Sequence, residues 1–302
     1  MSPTGIEWVL NPDGSRGITL NSKTGCLNHT PEGLCLGGLF PCYAYKLANG
    51  RLKGKYLNHV SLGYSFDELC QIPIKELESH QSDPFYPRFW PERLDKIRAI
   101  KKPTGIFLDD MSDWMGEYWP EEWTRQELQV MRDCPQHRFY TLTKQPQNLP
   151  QWEFPDNCWV GVTATNEKMA WYAMKYLKDI YARVRFISFE PLLGKIPNDS
   201  VWPLLASLKN CRINWLIIGA CTGAEKEMTE LARKYTLTEM PYGNKWTAQP
   251  SPDWIKEIVE AADKAGVKVF LKDNLVPLIA GKGTPEGLFY KDIWLRQELP
   301  NG

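Results

Sequence analysis

The chain has no excess of either charge: among 302 residues, 36 Lys and Arg face 36 Asp and Glu. A wholesale basic surface for gripping nucleic acid is therefore excluded, though a local patch is not. No apolar run approaches membrane-spanning length, so no membrane partner is expected. The opening Met1-Ser2-Pro3-Thr4-Gly5 has neither the charged start nor the apolar stretch of a secretory signal. We expect a cytoplasmic chain. Thiols stay reduced there, so the eight cysteines are not expected to form a disulfide framework. There is also no internal repeat, low-complexity tract or linker, and the whole span 1–302 is expected to be one domain.

What is present is an alternation. Hydrophobic residues make up 43%, enough for a large core. Short apolar, β-branched runs predict strands at Gly17–Leu20, Gly105–Leu108, Arg138–Leu142, Trp159–Thr163, Arg185–Ser188, Trp215–Ile218 and Val267–Leu271. Helical patterning between them predicts helices at Glu121–Cys134, Glu167–Ile180, Trp202–Leu208 and Ser251–Ala265. Strand and helix in alternation mean parallel pairing with right-handed crossovers. The predicted fold is α/β, a partial or complete barrel of six to seven parallel strands, with a doubly wound open sheet as the competitor. The stretch Leu52–Pro91 is least regular and reads as an insertion after the first unit; Lys234–Pro250 reads as a second insertion or lid. The 13 tryptophans spread along the whole chain and read mainly as packing, with stacking on a planar ligand as the sharper alternative.

Parallel α/β folds bind ligands at the C-terminal ends of their strands. The first of those places holds Cys26, Cys35 and Cys42 in one Gly/Pro-rich loop running into a helix near Tyr43. Thiolates are soft ligands for zinc or iron–sulfur clusters. Three thiolates leave one iron of a cluster open, which chemistry needs. Three unliganded buried cysteines, or a zinc site completed by His29, are the alternatives at this point. Cys70, Cys134, Cys158 and Cys211 read as packing residues.

In order along the chain stand Ile6-Glu7-Trp8, Asn11-Pro12, Thr24-Gly25-Cys26, Cys42-Tyr43-Ala44, Pro87-Arg88-Phe89, Pro91-Glu92-Arg93-Leu94 and Met111-Ser112-Asp113. Leu142-Thr143-Lys144, Ser188-Phe189-Glu190-Pro191-Leu192-Leu193-Gly194 and Phe270-Leu271-Lys272 follow. With this ordered set the chain resembles a phage-associated and prokaryotic three-cysteine family described as radical-SAM-like and of uncharacterised function. One departure is plain. The family usually separates its last two cysteines by two residues; here six lie between Cys35 and Cys42 and eight between Cys26 and Cys35. Where relatives carry a Gly-Gly-Glu type of sequence, this chain has Gly219-Ala220-Cys221, so Cys221 is a candidate fourth thiol.

The resemblance implies a 4Fe–4S cluster on Cys26, Cys35 and Cys42, S-adenosylmethionine on its open iron, an electron donor, and a substrate from which a 5′-deoxyadenosyl radical abstracts hydrogen. It names no substrate; a nucleotide or nucleic acid is the candidate by analogy. It implies that Asp109, Asp110, Ser112 and Asp113 receive the methionyl ammonium, with a helix cap, a solvated acidic turn or a hard-cation site as alternatives. Thr163, Thr165 and Asn166 follow the strand where the ribose often binds, against a capping role. Lys144 and Glu190 end buried-looking strands and are expected to pair with each other or share a polar ligand, as a structural pair or as catalytic acid and base. Lys272 is expected to meet a carboxylate or phosphate, and Lys46, Arg51, Lys53, Lys55, Arg88 and Arg93 form either a solvated face or an anion-receiving one. The competing class is a non-catalytic nucleic-acid-binding protein that uses the same cysteines to hold structural zinc or a cluster.

Overall fold

Seven of the apolar runs become strands of one parallel sheet in the computed structural model, which describes residues 3–59, 67, 70–198, 203–279, 289–290 and 293–301. They are β1 (Ile18–Leu20), β2 (Gly105–Leu108), β3 (Arg138–Thr143), β4 (Cys158–Thr163), β5 (Val184–Phe189), β6 (Trp215–Ile218) and β7 (Lys268–Leu271), paired in chain order. The seven predicted runs match these to within a residue at each end. Sequential order excludes the doubly wound alternative, whose strand order reverses at a switch point.

Curvature follows from the side chains on one face. Trp8, just ahead of β1, has its ring centroid 4.9 Å from Phe107, 5.7 Å from Tyr140, 6.2 Å from Phe186 and 6.0 Å from Trp215. These residues stand on β2, β3, β5 and β6. In a flat sheet β2 and β6 would lie about 19 Å apart, four spacings of roughly 4.8 Å, and one indole could not touch both. The sheet is therefore curled into a partial barrel with Trp8 filling its interior. Gly161 permits this filling on β4: a Cβ there would stand 2.3 Å from the Phe186 ring. Alternate residues such as Ile106, Phe139, Val160, Ile187 and Leu216 face outward into a second, larger apolar cluster beneath the helices.

The outer layer includes α1 (Tyr43–Asn49), α2 (Glu121–Asp133), α3 (Glu167–Leu177), α4 (Glu225–Tyr235) and α5 (Pro252–Ala265). Their ends obey local chemistry. The Asn166 side chain accepts from Met169 N at 3.1 Å and caps α3. Gly266, at φ 72°, closes α5. The helix predicted at Trp202–Leu208 runs Leu204–Asn210, and Trp202 lies outside the described residues. The exposed edge of β7 is covered by the C-terminal segment, where Leu271 N donates to Arg296 O and Glu298 N to Val269 O.

Both irregular segments have structure of their own. Within Leu52–Pro91 lie helices Lys53–Leu57 and Ile74–Ser82 and a strand Arg88–Phe89, which pairs antiparallel with Lys23–Thr24 just before the cysteine loop. Arg88 fixes that strand from inside: fully buried, it donates to the carbonyls of His80 (2.5 Å), Tyr86 (2.6 Å) and Asp83 (2.8 Å). It is thus not available as an anion receptor. Arg93 is also committed, donating to Asn21 O at 2.6 Å with its guanidinium 4.0 Å above the Trp90 ring. The segment Lys234–Pro250 contains a hairpin of Thr238–Tyr242 and Lys245–Gln249, extended by Cys221–Gly223 into a three-stranded sheet.

Candidate active site at the mouth of the barrel

The cysteine loop is pinned along its length. Gly25 N donates to Met111 O at 3.0 Å and Cys26 N to Phe85 O at 2.9 Å. Gly25 sits at φ 89°, and a Cβ there would stand 2.4 Å from Tyr86 O, so only glycine lets Cys26 enter at this point. The six residues between Cys35 and Cys42 are absorbed by a short hairpin, Leu34–Cys35 against Phe40–Pro41. Two side chains from the barrel hold its turn: Thr165 Oγ1 donates to Gly37 O at 3.1 Å and Tyr235 OH to Gly38 O at 2.7 Å. Cys42 N returns to Gly33 O at 3.0 Å and opens α1. The long spacing is thus a folded excursion that brings the chain back.

What the three thiols share is Lys144. Its stem lies against the hairpin turn, where a Cβ on Gly37 would be 2.7 Å from Lys144 Cδ. Burial works against the ammonium charge, yet Cys35, Asp113, Cys42 and Cys26 together hold its pKa above the ordinary lysine value. Burial pushes the Cys26 thiol up, with Asp113 adding to it; burial likewise raises Cys35, against the pull of Lys144. Among the described residues no three Cys, His, Asp or Glu side chains stand in a metal-holding arrangement, so the three thiols do not form a closed ligand set. The donor set itself, three thiols at the open end of a parallel barrel, fits an iron–sulfur cluster with one open iron.

His29 points elsewhere. Its Nδ1 meets Thr30 O at 2.7 Å and its ring packs 4.9 Å from Tyr45 and 5.4 Å from Phe85. Cys221 is buried on its own strand among Leu193, Met228, Leu231 and Ala248, where burial pushes its thiol up to about 12. Cys134, Cys158 and Cys211 are buried; Cys70, read as a packing residue, is exposed.

The aspartate turn divides. Asp113 reaches the thiol side: its carboxylate accepts from Thr143 Oγ1 at 2.5 Å and from Lys144 N at 3.0 Å, tying the turn after β2 to the end of β3. Asp110 accepts from Asn21 Nδ2 at 2.6 Å, and its carbonyl accepts the Tyr43 hydroxyl. Ser112 bridges to Gly25 and its hydroxyl meets Asp109 O at 3.4 Å. Asp109 departs from its expected place. At φ 64° it turns beneath the mouth, where its Oδ1 accepts from Ser22 Oγ at 3.2 Å and Lys23 N at 2.9 Å. Burial, with Glu127 beside it, raises its pKa well above the carboxylate range.

Beneath that turn lies a polar group that the sequence reading missed. Lys23 and Glu127 are fully buried and paired at 2.8 Å; Lys23 Nζ also donates to Thr124 Oγ1 (2.8 Å), and Trp114 Nε1 to Glu127 (3.0 Å). The available signal is Glu127 itself, a charge on the same helical stripe as the buried Trp123, Leu128 and Met131 of α2.

Lys144 and Glu190 do not pair. Thr143 stands opposite Val162 and Thr163 opposite Ser188, so Lys144 is level with Ser188, one inward position short of Glu190. Glu190 instead pairs with Lys272 from β7, which also has Glu7 at 3.7 Å. Gly219 at the end of β6 lets this happen: a Cβ there would stand 2.9 Å from Lys272 Cδ. Lys272 thus meets a carboxylate, as expected, but an internal one. Tyr43, just after Cys42, is half exposed, and its hydroxyl donates to Asp110 O.

Thr163 and Asn166 line a cavity of about 490 Å³ beside the thiols, together with Leu36, Lys144, Met169 and Tyr172. Asn166 also caps α3, and Thr165 holds the hairpin, so both have structural work there. A second cavity, about 420 Å³, lies at the opposite end of the strands beside Arg138, Trp159 and Arg183.

No curated protein sequence matches the chain. Among solved structures, spore photoproduct lyase complexed with dinucleoside spore photoproduct aligns over 87% of this chain and 78% of its own, at 12% identity and TM-score 0.47. A double mutant of that enzyme with bound AdoMet and dinucleoside spore photoproduct aligns over 87% and 77%, at 11% identity and TM-score 0.45. Likenesses this distant carry no statement about chemistry. The model of the DUF5131 family, described as a protein of unknown function, matches residues 3–237. The chain belongs to the DUF5131 family.

Proposed function

We propose that the chain is a radical S-adenosylmethionine enzyme whose 4Fe–4S cluster is held by Cys26, Cys35 and Cys42, with a nucleotide or nucleic acid as substrate. The observation that supports it most is one pinned loop that carries three cysteines at the C-terminal end of a parallel barrel, with the Lys144 stem against its hairpin turn. Held by Cys26, Cys35 and Cys42, a cluster would supply one-electron reductive cleavage of the carbon–sulfur bond of S-adenosylmethionine, with methionine as leaving group and the electron from an external donor.

The chain's own residues have separable tasks. Cys26, Cys35 and Cys42 would give up their protons to become ligands, so uptake of the cluster is expected to weaken as pH falls. Lys144 offsets the negative charge of three thiolates. Asp113 fixes Lys144 through its backbone amide and presents a carboxylate toward the same space, where it suits a methionyl ammonium; Asp110 and Ser112 shape the turn. Thr163 and Asn166 line the adjoining cavity, and Thr165 holds the hairpin turn beside it. Glu190, neutralised by Lys272, is the acid–base group closest in character to a substrate contact on the far side of the mouth. The competing zinc reading requires a fourth donor, and His29 and Cys221 are committed elsewhere.

Anaerobic reconstitution with iron and sulfide tests the proposal. The expected product is a brown protein that dithionite bleaches and that then cleaves S-adenosylmethionine to 5′-deoxyadenosine. A colourless protein with tightly bound zinc would overturn it.

A further inference from the structure

The solvent face of α3 combines exposed aromatic rings with lysines at helical spacing. Ala170, Ala173, Met174 and Leu177 face the core, while Lys168, Trp171, Tyr172 and Lys175 line the outer face at i, i+3, i+4 and i+7. Trp171 and Tyr172 are 37% and 38% exposed, large for rings on a charged helix, and their centroids are 5.6 Å apart. Tyr176 follows 5.5 Å beyond Tyr172. Lys175 Nζ lies 5.6, 5.7 and 5.1 Å from the Trp171, Tyr172 and Tyr176 rings. Tyr181, past the helix end, is 76% exposed. From 167 to 183 the chain carries Lys168, Lys175, Lys178 and Arg183 against Glu167 and Asp179, a local cationic excess in a protein of zero net charge.

We propose that this face binds single-stranded nucleic acid, with bases stacked on Trp171 and Tyr172 and phosphates drawn by Lys168, Lys175 and Lys178. The chemistry points there because every base offers a π-face to an exposed ring, and interleaved cations track the backbone. A protein-docking face of the same size would bury its rings behind a polar rim, whereas here the lysines lie among the rings. Position adds a second argument. Tyr172 and Lys168 also line the 490 Å³ cavity whose inner wall includes Lys144, so a strand on α3 can place one nucleotide toward the thiols. The inference rests on the proposed function for its purpose, but not for its test, because binding requires neither cluster nor S-adenosylmethionine.

The experiment is fluorescence anisotropy of a labelled twelve-residue oligothymidylate with the full chain, at several salt concentrations, beside a duplex of equal length. The single strand is expected to bind more tightly than the duplex, with affinity falling steeply as salt rises. Trp171→Ala with Tyr172→Ala is expected to weaken binding at least tenfold, and Lys168→Glu with Lys175→Glu to weaken it and flatten the salt dependence. Melting temperatures near the parent's would show that the variants fold. No binding at low salt, or parental affinity in both variants, would overturn the proposal. So would self-association abolished by the same substitutions without oligonucleotide binding, which would make the face a protein interface. Oligonucleotide binding in a chain that takes up no iron would sink the radical reading and leave this one standing.

Discussion

Asp109 shows how one backbone angle redirects a residue's chemistry. At φ 64° its carboxyl turns under the sheet, and burial beside Glu127 raises its pKa well above 3.8. A carboxyl with a raised folded pKa stabilises fully below its unfolded value and loses that contribution as pH rises through the folded one. Folding at neutral pH is thus opposed by this group. Asp109→Asn keeps the shape of the protonated acid and tolerates a positive φ. It is expected to raise the melting temperature at pH 8 relative to the parent, with the gain shrinking toward pH 4. Equal shifts at both pH values would mean that Asp109 is ionised in the folded protein. The residue scale is also where the sequence was least legible. The type of residue at each strand end was plain, but partners were not. Lys144 and Glu190 stand at the ends of non-adjacent strands, and only the register and the missing side chain at Gly219 decide that Glu190 meets Lys272.

Elements were more legible, because periodicity reports burial directly. The seven strands follow from their apolar runs, and α2, α3 and α5 from their stripes. The cysteine loop's hairpin was hidden, since two-residue strands leave no periodic trace. Hidden too was the anchoring of that loop to α2 through Lys23 and Glu127, which lie 104 positions apart (127 less 23) and are joined only by tertiary packing. Breaking a fully buried pair leaves one unpaired charge, at a cost of roughly 3–5 kcal/mol. Glu127→Gln is therefore expected to lower unfolding free energy by about that amount in urea titration. Lys23→Met with Glu127→Leu should recover much of the loss. A single variant within about 0.5 kcal/mol of the parent would remove the pair from the account of how the loop is held.

At the scale of the whole molecule, Trp8 and the aromatic interior close one end of the barrel, and the thiols, Lys144, Tyr43 and the Glu190–Lys272 pair occupy the other. Among the described residues no helix is long and apolar enough to cross a membrane. The central claim is that three thiols from one loop act together as ligands at that open end. Iron per chain after anaerobic reconstitution tests it most directly, in Cys26→Ala, Cys35→Ala and Cys42→Ala beside Cys134→Ala and Cys158→Ala as folded controls. The account predicts that each of the first three loses most of its iron, because two thiolates cannot hold a cluster with one open iron, while the controls keep the parent's content. Full iron in all three loop variants would contradict it.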